Sequence, residues 1–203
     1  MKKIALFFVV VACCSSSIYA DDFGSWLDLQ LSHKFSDKVY SSIRFEHRTQ
    51  NNLKDLDVWF IRPTVGYNLT SWLKADVAYD FLRNETSTTH RSFVALTGTL
   101  RQGNLSASIK ERWQYAYTPD THTGSNTLRS KFTVAYSIPN TAFKPYVAME
   151  VFTKKKWDKT RHYVGTEIRL NKHSSLDVFY MWYTFANRDD AEHVAGLGYH
   201  LSL

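Results

Sequence analysis

The sequence predicts an all-β fold: an antiparallel up-and-down transmembrane β-barrel of about ten to twelve strands, preceded by a cleaved signal peptide. Three observations carry that prediction. An export-type leader occupies residues 1–20, and apolar and polar residues then alternate with a period of two from residue 26 to residue 203. The alternating segments run about ten to thirteen residues, whereas soluble strands have roughly 5–6 and a tilted membrane strand needs about 9–11.

The leader, "MKKIALFFVVVACCSSSIYA", sets Lys2 and Lys3 before an apolar run and a small polar stretch ending at Ala20. That order of parts is a secretory signal with cleavage before Asp21, so 1–20 is read as signal peptide and 21–203 as the barrel domain. Its apolar run falls short of the roughly 20 residues of a spanning helix. A second export reading takes "VVAC" as a lipoprotein box with Cys13 lipidated. Cys13 and Cys14 both lie in the leader, so the mature chain must be held by backbone pairing and packing without a disulfide. Removing Lys2 and Lys3 lowers the formal charge from +6 to about +4, too mild a basic excess to argue for nucleic acid. The remaining length suits one domain.

Eleven segments follow, each with one apolar face. Segment 26–35 carries Leu27, Leu29 and Leu31; 38–48 carries Val39, Ile43 and Phe45; 56–69 carries Trp59, Ile61, Val65 and Tyr67. Segment 72–83 has Leu73, Val77, Tyr79 and Phe81; 90–101 has Val94, Leu96 and Leu100; 104–118 has Ile109, Trp113 and Tyr115. Segment 127–138 has Leu128, Phe132, Val134 and Tyr136, and 144–153 has Val147, Met149 and Val151. The last three, 160–171, 175–186 and 193–203, present Val164, Ile168 and Leu170; Leu176, Val178, Tyr180 and Trp182; and Ala195, Leu197, Tyr199, Leu201 and Leu203. The opposite face reads as polar almost throughout. Pro63 and Pro145 weaken two segments locally, because proline cannot donate to a ladder.

A soluble lipocalin-like binding barrel gives the same alternation with its apolar face inward. Segment length, connections and aromatics favour the membrane form. "FSDK", "NLTS", "RQGN", "NKHS" and "IPNTAF" read as tight turns, and "TQNNLKD", "RNETSTTH", "TPDTHTGSN", "TKKKWDKT" and "NRDDAE" as longer polar loops. Short turns on one rim and longer loops on the other fit an outer-membrane barrel. Trp72, Trp113, Tyr115, Tyr117, Tyr136, Tyr180 and Trp182 collect near segment ends, as aromatic girdles do. The final segment, "HVAGLGYHLSL", is expected to close the cylinder and to be read by the outer-membrane assembly machinery. Eleven is odd, whereas bacterial single-chain barrels have even counts. The expectation is therefore that residues 21–36 lie inside or below a ten-stranded barrel, or that a twelfth strand hides before Trp59.

"SWLDLQLSHKFSDKVYSSIRFEHR", "VGYNLTSWLKADVAYDF", "IKERWQYAY", "LRSKFTVAY", "PYVAMEVF", "VGTEIRLNKHSSLDVFYMW" and "AGLGYHL" together span nearly the whole mature chain. In strand pattern and in spaced Arg, Glu and Tyr positions they resemble the exported barrel family labelled domain of unknown function 2490. The resemblance implies an outer-membrane barrel and supplies no activity. Leu203 departs from the aromatic last residue common in such barrels.

If the apolar face meets lipid, the other face lines a lumen. It carries the cations Lys34, Arg44, Arg48, Arg62, Lys74, Arg91, Lys110, Arg112, Arg129, Lys131, Arg161 and Arg169, and the anions Asp28, Glu46, Asp76, Asp80, Glu150, Glu167 and Asp177. Confined charges persist only when paired or wet, so Glu46 is expected between Arg44 and Arg48, and Glu167 between Arg161 and Arg169. The network of Arg44, Glu46, Arg48, Arg62, Lys110, Arg112, Arg129, Glu150, Arg161, Glu167 and Arg169 reads as a structural ladder or as a narrow anion-preferring passage. Glu111 falls on the lipid face, which suggests a bulge or a register error there.

No catalytic residues, metal site or cofactor are expected: His/Cys metal spacing, a phosphate loop and a G-x-S-x-G elbow are all missing from the sequence. The alternative of a lipid-directed hydrolase rests on His90, His122, Ser125 and Asp120 near one rim. Lys154, Lys155, Lys156 and Trp157 are candidates for contact with lipopolysaccharide phosphates. The expected partners are outer-membrane lipid, lipopolysaccharide and the assembly machinery, with no nucleic acid. The sequence does not set the oligomeric state.

Overall fold

The computed structural model describes residues 22–187, 189 and 191–203. The expected signal peptide, 1–20, with Cys13, lies outside the described residues. Eleven strands follow in order: β1 (Asp22–Lys34), β2 (Val39–Gln50), β3 (Asp55–Asn68), β4 (Leu73–Arg83), β5 (Thr88–Gln102), β6 (Leu105–Thr118), β7 (Thr123–Tyr136), β8 (Phe143–Thr153), β9 (Trp157–Arg169), β10 (Ser174–Phe185) and β11 (Glu192–Ser202). They form a closed barrel in which each strand pairs with its chain neighbours and β1 pairs with β11.

The parity expectation is corrected. Neighbouring strands are antiparallel, but the β1–β11 seam is parallel, in register from Asp22↔Glu192 to Ser32↔Ser202. A parallel seam bonds its residues evenly, so an odd number of strands closes without an edge. Residues 22–34 are a full wall strand, bonded to β2 on the other side from Trp26↔Arg48 to Lys34↔Tyr40.

The difference in loop length is corrected too. Turns 35–38, 69–72, 103–104, 137–142 and 170–173 share one rim, and 51–54, 84–87, 119–122, 154–156 and 186–191 share the other. The two sets are nearly equal in length, about four residues per connection in each. Its polar flanks continue the ladder instead of looping out, as in Gln50↔Asp55 and Thr118↔Thr123. Below, the first set defines the C-terminal rim, where β11 ends.

Alternation sets the faces. Leu27, Leu29, Ile43, Val65, Val77, Leu96, Trp113, Val147 and Leu197 stand exposed on the outer wall, while Asp28, Glu46, Arg62, Asp80, Arg129, Glu150 and Arg161 are buried within. The inner face is less polar than expected, since it also buries Trp26, Phe60, Phe93, Phe152, Tyr163, Met181 and Tyr183. Pro63 is accommodated at a gap: the β3–β4 ladder pairs Trp59–Ile61 with Arg83–Phe81 and resumes at Thr64↔Ala78, sparing proline the donor it lacks. At Glu111 there is no bulge, because β6 keeps unbroken register with β5 and β7 through Leu96↔Glu111 and Glu111↔Ser130. Its outward position is real, and Ser130 Oγ donates to the carboxylate at 2.7 Å.

Candidate functional site: the barrel lumen

The inward residues of neighbouring strands lie side by side, so charges separated in sequence meet across the ladder. Asp80 on β4 sits beside Arg62 of β3 and Arg91 of β5. Arg62 Nη2 donates to Asp80 Oδ2 at 2.8 Å, its Nε reaches Oδ1, and Arg91 Nε donates to Oδ2 at 2.6 Å. Glu46 is held by Arg44 at 2.9 Å and by Arg48, and Arg44 also reaches Asp28. Glu150 accepts Arg129 Nε at 3.0 Å and Nη2 at 2.7 Å on one oxygen, and Tyr163 Oη at 3.1 Å and Arg161 Nη1 at 3.5 Å on the other. Nearer the C-terminal rim, Asp76 takes Tyr40 Oη and Lys110 Nζ, the latter at 3.2 Å.

The aromatic side chains use the guanidinium faces that these carboxylates leave free. Arg48 lies 3.8 Å from the Trp26 ring centroid and 5.4 Å from that of Phe60; Arg62 lies 4.6 Å from Phe60 and 5.0 Å from Phe93; Arg112 lies 4.5 Å from Phe93. On the far side Arg129 lies 4.4 Å from Phe152, and Arg161 lies 4.6 Å from Phe152 and 4.8 Å from Trp26. Arginine and aromatic ring thus alternate around the lumen at mid-height. The alternation breaks once, where Arg112 and Arg129 face each other on adjacent strands. Among the described residues Arg112 has no ion-pair partner, and its buried Nε has no hydrogen-bond partner.

This girdle constricts the lumen between two spaces. One, of about 350 Å³, opens at the other rim among Trp26, Arg48, Lys159, Arg161, Tyr183 and Glu192. The second, of about 160 Å³, lies toward the C-terminal rim among Tyr40, Arg44, Arg62, Lys74, Lys110 and Arg112. Among the described residues the constriction consists of side chains.

Of the eleven residues predicted for the charge network, Arg44, Glu46, Arg48, Arg62, Arg112, Arg129, Glu150 and Arg161 meet in or beside the girdle, and Lys110 lies on its C-terminal side. Glu167 does not join Arg161 and Arg169. Arg161 turns to Glu150, Arg169 is exposed at the rim, and Glu167 pairs with Lys144 of the adjacent strand at 3.1 Å. Cross-strand distance beats the two-residue spacing along a strand, because opposite residues stand closer. Lys154 pairs with Asp158 at 3.2 Å, and Trp157 Nε1 donates to Thr160 at 3.0 Å with its ring half exposed. Lys155 and Lys156 are exposed beside them. The hydrolase candidates share one rim, but each bonds elsewhere: His90 meets Tyr79, His122 meets Tyr117 at 3.3 Å, and Asp120 accepts the Thr88 amide at 3.3 Å.

Sequence reasoning missed the inward aromatics Trp26, Phe60, Phe93 and Phe152. A signal was present, because an aromatic stands two residues from an arginine in Phe60–Arg62, Arg91–Phe93 and Arg161–Tyr163, on the inward face.

A family model described as "Protein of unknown function (DUF2490)" matches residues 23–194. No curated protein is similar enough to count as a match. Among solved structures, a NanC porin in a rhombohedral crystal form superposes with a TM-score of 0.57 at 15% identity, covering 85% of this chain and 94% of that one. A KdgM porin gives 0.51 at 11%, covering 82% and 91%, and a KdgM porin in complex with disordered oligogalacturonate gives 0.51 at 11%, covering 82% and 92%. These likenesses establish a porin-type barrel fold.

Proposed function

Because the chain belongs to the DUF2490 family, whose description names no activity, we propose a function from its own lumen: a bacterial outer-membrane barrel acting as a narrow, anion-preferring channel. One observation carries the reading, the cation excess at the constriction. Asp28, Glu46, Asp80 and Glu150 are shared among Arg44, Arg48, Arg62, Arg91, Arg129 and Arg161, and Arg112 makes no ion pair among the described residues. A confined cation excess repels permeating cations and gives anions a place to exchange for water. The exposed apolar outer wall and the closed ladder support membrane residence, since an open edge in hydrocarbon would leave backbone groups unpaired. The constriction is tight enough that a large general pore is not expected.

Purified protein in planar bilayers should give a small conductance with reversal potentials shifted toward anion preference. Replacing Arg62, Arg112 and Arg129 by Gln should reduce that preference. A large cation-selective conductance would overturn the reading. Lys154, Lys155, Lys156 and Trp157 are proposed to contact lipopolysaccharide phosphates from the rim opposite the C-terminus. Changing the three lysines to Gln should then raise outer-membrane sensitivity to chelators, and unchanged sensitivity would count against the contact.

A further inference from the structure

We infer that the 160 Å³ cavity on the C-terminal side of the girdle is a binding site for one small oxyanion, a phosphate or a carboxylate, with Arg112 as its anchor. The inference rests on the cationic lumen behind the channel reading, but not on conduction. Five cationic side chains line the cavity, Arg44, Arg62, Lys74, Lys110 and Arg112, against the single carboxylate of Asp76. Asp76 is already engaged by Tyr40 and Lys110, so it has little left to offer. Arg62 is committed to Asp80, and Arg44 to Asp28 and Glu46.

Two cations remain. Among the described residues neither Lys74 nor Arg112 closes an ion pair: Lys74 lies over the Tyr40 ring, 5.5 Å from its Nζ, in the field of Asp76, and Arg112 lies over the Phe93 ring in the more distant field of Glu150. Arg112 bears the sharper demand: its buried Nε is unpartnered, and its cross-strand neighbour is another arginine. A buried charged donor without an acceptor is strongly unfavourable. An oxyanion in the cavity offsets the uncompensated charge, because a planar guanidinium offers paired N–H donors that match two oxygens. Lys74 and Lys110 can close on the remaining oxygens as point charges. The space far exceeds the ~10–15 Å³ one water needs, so the anion can keep some of its own water. The wall encloses the site, so its ligand is a diffusible anion and not a bilayer headgroup.

The test uses the full mature barrel, folded in detergent, with thermal unfolding followed against sodium phosphate at constant ionic strength and sodium chloride as reference. Phosphate should raise the midpoint saturably. Arg112→Met, which keeps an apolar stem over Phe93, should weaken the apparent affinity roughly tenfold or more, and Lys54→Gln, exposed on the opposite rim, should leave it unchanged. Should Arg112→Met fail to fold, Lys74→Gln is the second variant, expected to weaken binding without unfolding the barrel. The inference is overturned if phosphate gives no saturable shift beyond chloride, or if the lumen variant that folds binds as tightly as the parent. Conductance measured on the same preparation separates the two readings. Phosphate binding without conductance keeps the site and ends the channel, and conductance without phosphate binding does the reverse.

Discussion

At the scale of single residues, Glu111 is the sharpest departure from pattern. It stands on the outer wall with Leu96 on one side and Ser130 on the other, and with Ile109 and Trp113 two residues away on its own strand. Ser130 supplies one hydrogen bond, and the rest of the carboxylate faces an apolar surface. Carboxylates on a lipid face destabilise a barrel less than lysine or arginine, which cost about 2–4 kcal/mol at the midplane. Glu111→Leu should therefore raise folded stability by about 1–2 kcal/mol, read as a higher urea midpoint in lipid vesicles. A lower midpoint would mean that the carboxylate has a partner in the membrane. The sequence flagged this residue but could not interpret it. A lone carboxylate and a one-residue slip look alike until the register of both neighbouring strands is known. The girdle was half legible for a related reason: its arginines fell on the expected face, but their aromatic partners were missed, since the spacing in Phe60–Arg62 and Arg91–Phe93 marks neighbours along one strand and not which ring meets which guanidinium across strands.

At the scale of elements, the strands were legible because period two survives wherever one face is apolar and the other charged. Their ends were not. Thr49–Asp55 and Thr118–Asn126 read as loops from composition, yet much of each continues the ladder beyond the apolar belt, where water lies on both sides and alternation has nothing to sort. Inside the wall, some rings lie flat over glycines on the next strand. A Cβ at Gly66 would collide with Tyr40, and one at Gly196 with Phe179, which is how these rings line the lumen without filling it. The seam is the element on which closure depends. Ser202 N–H donates to His173 O at 2.7 Å and Leu203 N–H to Ser32 O at 2.9 Å, tying the end of β11 to both flanks. Deleting residues 201–203 should shorten both ladders at that rim and sharply reduce the yield of folded barrel in refolding assays, whereas Asn187→Ala on the opposite rim should leave it unchanged. Normal yield from the truncated chain would show that the seam closes without them.

At the scale of the molecule, closure means that no strand edge is free, and unfolding must break the seam or a hairpin ladder as a unit. Unboiled protein should therefore run at an anomalous position in SDS gels and shift on heating, and the mature chain should fractionate with the outer membrane. Recovery from the soluble periplasm would favour the lipocalin-like alternative. The parallel seam has one more consequence. In a barrel with an even count, the first strand starts and the last strand ends at the same rim, so a short turn can join them and the chain can be reopened elsewhere as a circular permutant. Here β1 starts beside Glu192 and β11 ends beside Ser32, at opposite rims. A linker between them would have to thread the full height of the lumen, past the ring where Trp26, Phe60 and Asp80 are packed, so this wall has a fixed beginning and end that rearranging the gene could not move.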